Sequence, residues 1–394
     1  MSSDLPKNKS RAGISSLETL SKTLGISIPE LLEIKEIPSD KRYEKILIPK
    51  SDGSKRIVHK PHYKIKKVQR KINSRIFKEL VIWPDFLFGS VPSYNDTSDS
   101  VKRDYVSCAS LHCGAKSILK IDIKDFFDNI HKDLVRDIFS SFFNFRGVAL
   151  EVLVDLCTHG DFIVQGALTS SYIASLCLHD KETNVVRRAR RKGLVYTRLV
   201  DDITVSSKVF DFDFSQIRKH IEDLLADKDL PLNNEKSGVF HNSTKPLVVH
   251  GLRVDHSKPR LPSDEVKRIR SSLHNLIDLS KKNNSRTSIA YRKEYNRCMG
   301  RIYKLNRMGH EKFDVFLPKI KAINPLPSYK DIVACKKAIS SLETSHKNNF
   351  HNKDWYLRKY NLASYQITII NRAKSFELIA KELRERLSKV KPIE

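Results

Sequence analysis

The 394-residue sequence predicts an α+β fold, and three observations support that class. The run Ile118–Ile130 (ILKIDIKDFFDNI) begins as a short apolar strand. The run Leu194–Ser207 (LVYTRLVDDITVSS) predicts a β-hairpin, because two β-rich segments meet at the acidic corner Asp201-Asp202. From Ser263 onward, apolar residues recur at helical intervals, which predicts a helical C-terminal region.

The elements before the first acidic strand follow in order. Ser15–Ile34 carries leucines at helical spacing interrupted by Gly25, which predicts two short helices. Ile46–Pro49 and Arg56–His59 predict a hairpin that turns at Ser51–Gly53. Lys64–Leu80 has one apolar face and predicts a longer helix.

The later elements are mostly helical. We expect a helix that opens at Gln165-Gly166 and a second helix at Ile217–Leu225, followed by a turn into a strand after Lys236. The last helix places Phe376, Ile379, Leu383, Leu387 and Val390 at helical intervals, which favours core packing over a partner surface.

Acidic residues interrupt both β-rich runs. Buried carboxylates are costly unless a cation offsets their charge. Asp122 and Asp201 are 201 − 122 = 79 residues apart, so only a folded sheet brings them together. Acids on neighbouring strands can hold two Mg²⁺ ions roughly 3.5–4 Å apart. Because strand residues alternate between faces, we expect Asp201 to be a closer ligand than Asp202. An isolated Asp-Asp pair would more often lie in a solvated loop.

The composition of the chain indicates which kind of partner it binds and where in the cell it is found. Net charge is 72 − 46 = +26 and the pI is about 9.7, which favours a polyanionic partner, although ribosomal and membrane-surface proteins have similar charge. Hydrophobic content of 40% is typical of a globular protein. Six cysteines without a C-x-x-C pair indicate reduced thiols. No apolar run approaches the roughly 20 residues of a membrane span, and the N-terminal MSSDLPKNKS lacks the apolar core of a signal peptide, so we expect a cytoplasmic protein without membrane contact.

Taken together, the ordered motifs resemble bacterial retron-type reverse transcriptases, a group close to other defence-associated reverse transcriptases. The two acidic runs flank VQGALTSS (Val164–Ser171) in the family's order. Four further stretches agree: SDGSKRIVHKPHYKIKKVQRKI (Ser51–Ile72), CASLH (Cys108–His112), PLNNEKSGVF (Pro231–Phe240) and VHGLRVD (Val249–Asp255).

The chain also departs from the family pattern. Cys108 stands where an Asn-Ala-x-x-His signature has Asn, and His250 stands where the family tends to have Thr. Leu199 replaces an aromatic residue before x-Asp-Asp, and Val164 replaces a Pro. The polar segment Phe88–Tyr105 is longer than usual.

The resemblance implies a right-hand polymerase with fingers, a ferredoxin-like palm, a helical thumb and a C-terminal helical extension. The expected domains are an N-terminal helical cap (1–43), fingers (44–116), palm with interleaved fingers elements (117–262), thumb (263–324) and extension (325–394).

The implied activity is RNA-directed DNA synthesis. Asp122, Asp201 and Asp202, with the backbone carbonyl of Ile123, would hold two Mg²⁺ ions, for which Mn²⁺ can substitute. The implied partners are a structured noncoding RNA template, dNTP substrates and a DNA product, in bacterial antiphage defence with a co-encoded effector or second polymerase.

The resemblance also implies nucleotide contacts by Lys55, Arg56, Asp125, Phe127, Gln165 and Lys236. The Phe127 ring would exclude a ribose 2′-hydroxyl. The alternatives are a solvated turn for Lys55 and Arg56, a core position for Phe127, a structural helix start for Gln165 and a simple phosphate contact for Lys236.

Two basic segments are candidate nucleic-acid contacts. Their residues are Arg187, Arg188, Arg190, Arg191, Arg292, Lys293, Arg297 and Arg301, the second group interleaved with Tyr291, Tyr295 and Tyr303. A solvated charged helix face is the alternative for both.

Two other functions remain open from the sequence. One is a defence-associated polymerase outside the retrons that makes repetitive or untemplated DNA. The other is an inactive polymerase-like RNA-binding scaffold, against which the presence of all three acids argues.

Overall fold

The computed structural model describes residues 5–10, 12–49, 53, 55–93, 102–351 and 353–392. The chain divides into two compact units, Met1–Arg260 and Leu261–Glu394. The finer predicted domain limits within these units stay predictions.

The first unit contains all the strands of the described residues and twelve α-helices. The strands are β1 Lys7–Asn8, β2 Tyr43–Pro49, β3 Lys55–Pro61, β4 Val81–Ile82, β5 Leu87–Phe88, β6 Ser117–Asp122, β7 Val195–Leu199, β8 Asp202–Ser207, β9 Gly238–His241, β10 Val248–Val249 and β11 Leu252–Arg253. The helices are α1 Leu17–Leu24, α2 Ile28–Lys35, α3 Ser39–Arg42, α4 Tyr63–Ile72, α5 Lys78–Leu80, α6 Tyr105–Leu111, α7 Phe126–Asn129, α8 Lys132–Asp137, α9 Gly147–Cys157, α10 Ser170–Leu176, α11 Glu182–Arg191 and α12 Ser215–Ala226.

A five-stranded sheet with the order β5-β7-β8-β6-β9 forms the centre of the first unit. β5 and β7 are parallel, and the other neighbouring pairs are antiparallel. Leu119 and Ile121 of β6 are buried in the largest hydrophobic core together with Ile203 and Val205 of β8. Because side chains alternate along a strand, Asp122 lies on the opposite face, away from that core.

Several predicted elements differ in extent. Gly25, in the left-handed conformation at φ +62°, ends α1, as the leucine pattern predicted. The predicted helix Lys64–Leu80 is α4 and α5 joined by the π-helical turn Asn73–Phe77. The N-terminal cap is not purely helical, because β1 pairs with β4.

The second unit has two separate helical groups. Its helices are α13 Ser263–Lys281, α14 Ile289–Arg307, α15 Lys312–Ala322, α16 Tyr329–Lys347, α17 Asp354–Ile370 and α18 Glu377–Ser388. α13–α15 enclose one hydrophobic cluster and α16–α18 another. The second cluster includes Leu383, Leu387 and Val390, so the predicted core role of the last helix is confirmed.

Two broad expectations concern cysteines and membranes. All six cysteines are free, and five of them are buried. None of the helices in the described residues has the length and apolarity required to cross a membrane.

Candidate active site

The two β-rich acidic runs meet at the hairpin β7–β8. The predicted corner Asp201-Asp202 is wrong by one residue: the turn is Val200-Asp201, and Asp202 is the first residue of β8. Val200 has φ +61°. A two-residue turn with positive φ at its first position matches type II′, which normally has glycine there, so a β-branched residue is strained.

A buried arginine supports this strained turn. Arg198 Nη1 donates to the Val200 carbonyl (3.1 Å), while Nε and Nη2 donate to Glu182 Oε1 (2.6 Å) and Oε2 (2.8 Å). On the other side, Ile123 N–H donates to the Asp201 carbonyl (3.1 Å). The turn is therefore bonded to two flanking segments.

The three predicted acids converge. Asp122 of β6 and Asp202 of β8 are directly opposite each other in the antiparallel register, and such pairs share a face of the sheet. Burial, followed by repulsion from Asp201 and Asp122, raises the pKa of Asp202 to about 6. Burial also raises the pKa of Asp201, with a further contribution from Asp122. The site concentrates negative charge.

Asp122 is held by the segment before β9. Asn233 Nδ2 donates to Asp122 Oδ1 (2.8 Å), and Lys236 Nζ lies 3.7 Å from the same oxygen. The backbone of Asp122 is also bonded, since its N–H donates to Ser237 Oγ (3.1 Å) and its carbonyl accepts from Asn233 N–H (2.9 Å). Sequence reasoning missed the roles of Asn233 and Ser237, although both lie in the PLNNEKSGVF stretch.

The donor set fits a hard divalent cation completed by substrate. No group of three or more His, Cys, Asp or Glu residues in the described ranges forms a ready-made metal cage. Mg²⁺ commonly binds through one or two carboxylates together with waters and substrate phosphates, and carboxylate oxygens are the ligands it prefers. Bringing in such a cation would offset the repulsion that raises the pKa of Asp202.

A polar network lies beside Asp202. His250 Nδ1 is 3.7 Å from Asp202 Oδ2. Burial, followed by the charge of Lys120, lowers the pKa of His250 to about 4, so the ring is neutral at physiological pH. His112 hydrogen-bonds Thr197 of β7 through Nε2 (2.8 Å) and Ser206 of β8 through Nδ1 (2.7 Å).

The candidate nucleotide contacts surround this face. Lys55 and Arg56 are exposed at the start of β3, and the positive charge of Arg56 partly offsets the burial that raises the pKa of Asp201. Ser51 and Asp52 of the predicted turn, and residues 94–101 of the extended polar segment, lie outside the described residues. Asp125 is exposed at φ +43° before α7.

Phe126 and Phe127 differ in burial. Phe126 is buried in the main core, whereas Phe127 is only partly buried against it. Phe127 therefore retains ring surface that a sugar can contact.

The Gln165-Gly166 segment contacts β3 but does not open a helix. The predicted helix start is wrong, because α10 begins at Ser170. The Gln165 carbonyl accepts from His59 N–H (2.7 Å), and Gly166 has φ +111°. A Cβ at Gly166 would lie 2.4 Å from the His59 carbonyl oxygen, so glycine is required by close backbone approach.

The basic end of α11 is exposed but partly paired. Arg190 donates to Asp85 Oδ1 (2.7 Å), and Arg188 donates to the His220 ring (3.0 Å). Arg187 and Arg191 are exposed.

The structure contradicts part of the second basic group. Arg292 is largely buried, donates to Asp331 Oδ1 (2.8 Å) and also bonds two backbone carbonyls, so it is a structural residue rather than a nucleic-acid contact. Tyr291 and Tyr295 are likewise buried in the α13–α15 core, which leaves Tyr303 as the exposed tyrosine of the three.

The remaining members of that group keep polar surface. Arg297 pairs with Glu294 (2.7 Å), and Arg301 donates to Ser272 Oγ (2.6 Å). Lys293 is exposed.

Comparison with known proteins identifies the family. Residues 48–267 match the model described as reverse transcriptase (RNA-dependent DNA polymerase). The chain is 58% identical over 389 residues to the retron Ec48 reverse transcriptase of Escherichia coli, covering 98% of this chain and 95% of the relative. It is 29% identical over 391 residues to the retron Se72 reverse transcriptase of Salmonella heidelberg, covering 96% and 97%.

These matches confirm the resemblance and decide against both the polymerase outside the retrons and the inactive scaffold. Members of the family use divalent metal ions. The chain therefore belongs to the retron reverse transcriptases and is an RNA-directed DNA polymerase with the right-hand fold of that family.

Proposed function

We propose that Asp122, Asp201 and Asp202, with the Ile123 carbonyl, hold two Mg²⁺ ions during DNA synthesis. The observation that carries this proposal is the register that places Asp122 opposite Asp202, together with the raised pKa of Asp202. When bound, the ions would activate the primer hydroxyl and stabilise the leaving pyrophosphate. Mn²⁺ has the same preference for oxygen ligands and can substitute.

Residues around the acids would position the nucleotide. Lys236 is 68% exposed, so its ammonium can leave Asp122 and contact a triphosphate. Lys55 and Arg56 would bind phosphate oxygens, and the partly buried Phe127 would exclude a 2′-hydroxyl. Asp125 would act through its backbone.

Gln165 would face the incoming nucleotide from the glycine-containing segment. The backbone bond between its carbonyl and His59 supports this role, because it ties the segment to the β3 strand that carries Arg56.

The proposed template is a structured noncoding RNA, which would yield a DNA product from dNTP substrates. The names of the retron relatives and the net charge of +26 support a nucleic-acid partner. The contacts would include Arg187, Arg188, Arg190, Arg191, Lys293, Arg297 and Arg301, without Arg292. We further propose a role in antiphage defence in the cytoplasm, where free thiols persist, with a co-encoded effector or second polymerase as partner.

The test is incorporation of labelled dNTPs by protein purified with the RNA transcribed beside its gene. Asp201→Asn should reduce incorporation to background. Asp211→Asn is a control, because Asp211 is an exposed acid after β8 that pairs with His241 (3.4 Å) and lies outside the site. Incorporation that survives Asp201→Asn would refute the assignment, and a product of homopolymer or simple repeats would refute RNA templating.

A further inference from the structure

Two positions where the chain departs from the family pattern touch each other. Cys108 replaces the expected Asn and His250 replaces the expected Thr. They are 142 residues apart in the chain, yet Cys108 Sγ lies 3.4 Å from His250 Nε2. The two departures therefore form one structural unit, and either residue constrains the other.

The backbone at His250 suits histidine. Its φ is +47°, and Gly251 follows with φ +79°. Histidine is among the residues enriched at positive φ, whereas a β-branched threonine is disfavoured there. The local turn between β10 and β11 thus favours the residue that the chain has, and it directs the ring toward both Cys108 and Asp202.

Cys108 is held rigidly on the other side of the imidazole. It lies on α6 with no solvent exposure, and its Sγ lies 3.3 Å from Thr197 Oγ1. Thr197 is on β7, and His112 bonds it to Ser206 on β8. The Cys108–His250 contact is therefore connected to both strands of the catalytic hairpin.

Asp202 needs such a restraint. Its side chain is 49% exposed, it begins β8 directly after the strained turn, and it is repelled by Asp201 and Asp122. An unrestrained carboxylate in this position would turn toward solvent and would have to be ordered again when a cation binds.

We infer that His250 is a positioning residue for Asp202: Cys108 fixes the ring by donating its thiol proton to Nε2, and the ring proton on Nδ1 then faces the carboxylate, 3.7 Å away. The inference rests on the proposed role of Asp202 as a metal ligand. Partners that orient metal-binding side chains typically change metal affinity by about 10–100-fold when removed.

The experiment measures Mn²⁺ binding to the full-length protein by electron paramagnetic resonance, alongside the Mg²⁺ concentration for half-maximal dNTP incorporation. His250→Leu should weaken Mn²⁺ binding and raise the Mg²⁺ requirement about tenfold. His250→Asn keeps an amide near the Nδ1 position and tolerates positive φ, so it should stay within about threefold of wild type. The matched control is His256→Leu, since the His256 ring lies 3.8 Å from a different acid, Asp255, and it should change neither value.

A double-mutant cycle tests the role of Cys108. Cys108→Ala should weaken Mn²⁺ binding about threefold alone and have no further effect in the His250→Leu background, because the two residues act through one contact. If His250→Leu does not fold, Cys108→Ala still carries the test, because it should bind Mn²⁺ more weakly than His250→Asn does.

The outcomes separate this inference from the proposed function. If wild type binds Mn²⁺, Asp201→Asn abolishes binding and His250→Leu and Cys108→Ala leave it unchanged, the positioning role is wrong and the metal site stands. If Asp201→Asn leaves Mn²⁺ binding unchanged, both fail. Weakening by His250→Leu with recovery in His250→Asn supports the inference.

Discussion

Removing the buried guanidinium of Arg198 should destabilise the first unit and inactivate the protein. Arg198 has no solvent exposure in its side chain and Glu182 only 3%. Besides its bonds to Glu182 and Val200, Arg198 donates to the carbonyls of Ala174 (3.1 Å) and Ser175 (2.9 Å). All the donors of the guanidinium face carboxylate or carbonyl oxygens, so its loss leaves several buried acceptors unpaired.

The magnitude follows from what remains after Arg198→Met. The Glu182 carboxylate would keep one described side-chain donor, the Tyr196 hydroxyl (2.9 Å), and would otherwise be buried without a counter-charge. Breaking a buried ion pair in this way costs about 3–5 kcal/mol. In Arg198→Met/Glu182→Leu both charges are gone, so we expect a smaller loss of unfolding free energy than in the single Arg198 variant, about 1–3 kcal/mol.

The assay is urea unfolding followed by tryptophan fluorescence. The chain has two tryptophans, Trp83 in the first unit and Trp355 in the second, so a Trp355→Phe background reports on the first unit alone. Labelled-dNTP incorporation is measured at low urea, where each variant is folded. Arg198→Lys keeps the charge but cannot match the fork geometry, and it should lose activity even where it is folded.

Three results would refute this reasoning. An Arg198→Met midpoint equal to that of the Trp355→Phe parent would show that the network contributes nothing to stability. A double variant as unstable as the sum of the singles would show that Arg198 and Glu182 act independently. Full activity of folded Arg198→Lys would remove the proposed support of the Val200 turn.

Four further substitutions test other parts of the structure. Asp202→Asn should abolish dNTP incorporation but raise the unfolding free energy of the metal-free protein by about 1 kcal/mol at pH 8, as measured by urea unfolding. A pKa rise from 3.8 to about 6 would by itself correspond to a larger gain in unfolding free energy. The carboxylate is half exposed, however, and solvent screens its charge. Gly166→Ala should lower the unfolding free energy of the first unit by about 2 kcal/mol or more, because its Cβ would clash with the His59 carbonyl. Arg292→Ala should lower the thermal unfolding midpoint of the second unit without changing the salt dependence of RNA binding. Lys293→Ala should leave that midpoint unchanged and reduce the salt slope, the slope of the logarithm of the RNA-binding constant against the logarithm of salt concentration, by about 1.

Each of these predictions has a control variant, a defined direction of pH dependence or an outcome that would contradict it. Between pH 3.8 and about 6 the folded protein binds more protons at Asp202 than the unfolded chain, so the charged form destabilises the fold above that window. The gain in Asp202→Asn should therefore disappear as the pH falls toward 4, and a gain that grew instead would contradict the assignment. Gly193→Ala, with φ +68° and no atom near its Cβ, should cost less than Gly166→Ala. A reduced salt slope for Arg292→Ala would restore it as a phosphate contact.

The convergence of the acids was predictable, but their register was not. Apolar runs around Asp122 and around Asp201-Asp202 are enough to indicate two buried strands that end in carboxylates. The exact turn depends on tertiary bonds from Arg198 and Ile123, which hold Val200 in a conformation that local preference for a β-branched residue disfavours. Local rules therefore placed the corner one residue too late.

The other wrong predictions concern side chains whose partners are distant in the sequence. Arg292 is indistinguishable from Lys293 in a basic segment, and only the folded chain shows that Asp331, 39 residues later, pairs with it. Tyr291 and Tyr295 are interleaved with cations in a pattern typical of a nucleic-acid contact, but helical packing directs both into the core. Residues that pair across long separations carry no local signal.

The three hydrophobic clusters in the described part of the chain share no residue. Substitutions among the buried apolar residues of α16–α18 can therefore be compensated within those helices. This terminal bundle is therefore a part of the protein whose core can be exchanged as one piece. Chimaeras of two relatives, joined at the prolines before α16, would test whether α16–α18 affect RNA recognition separately from polymerase activity.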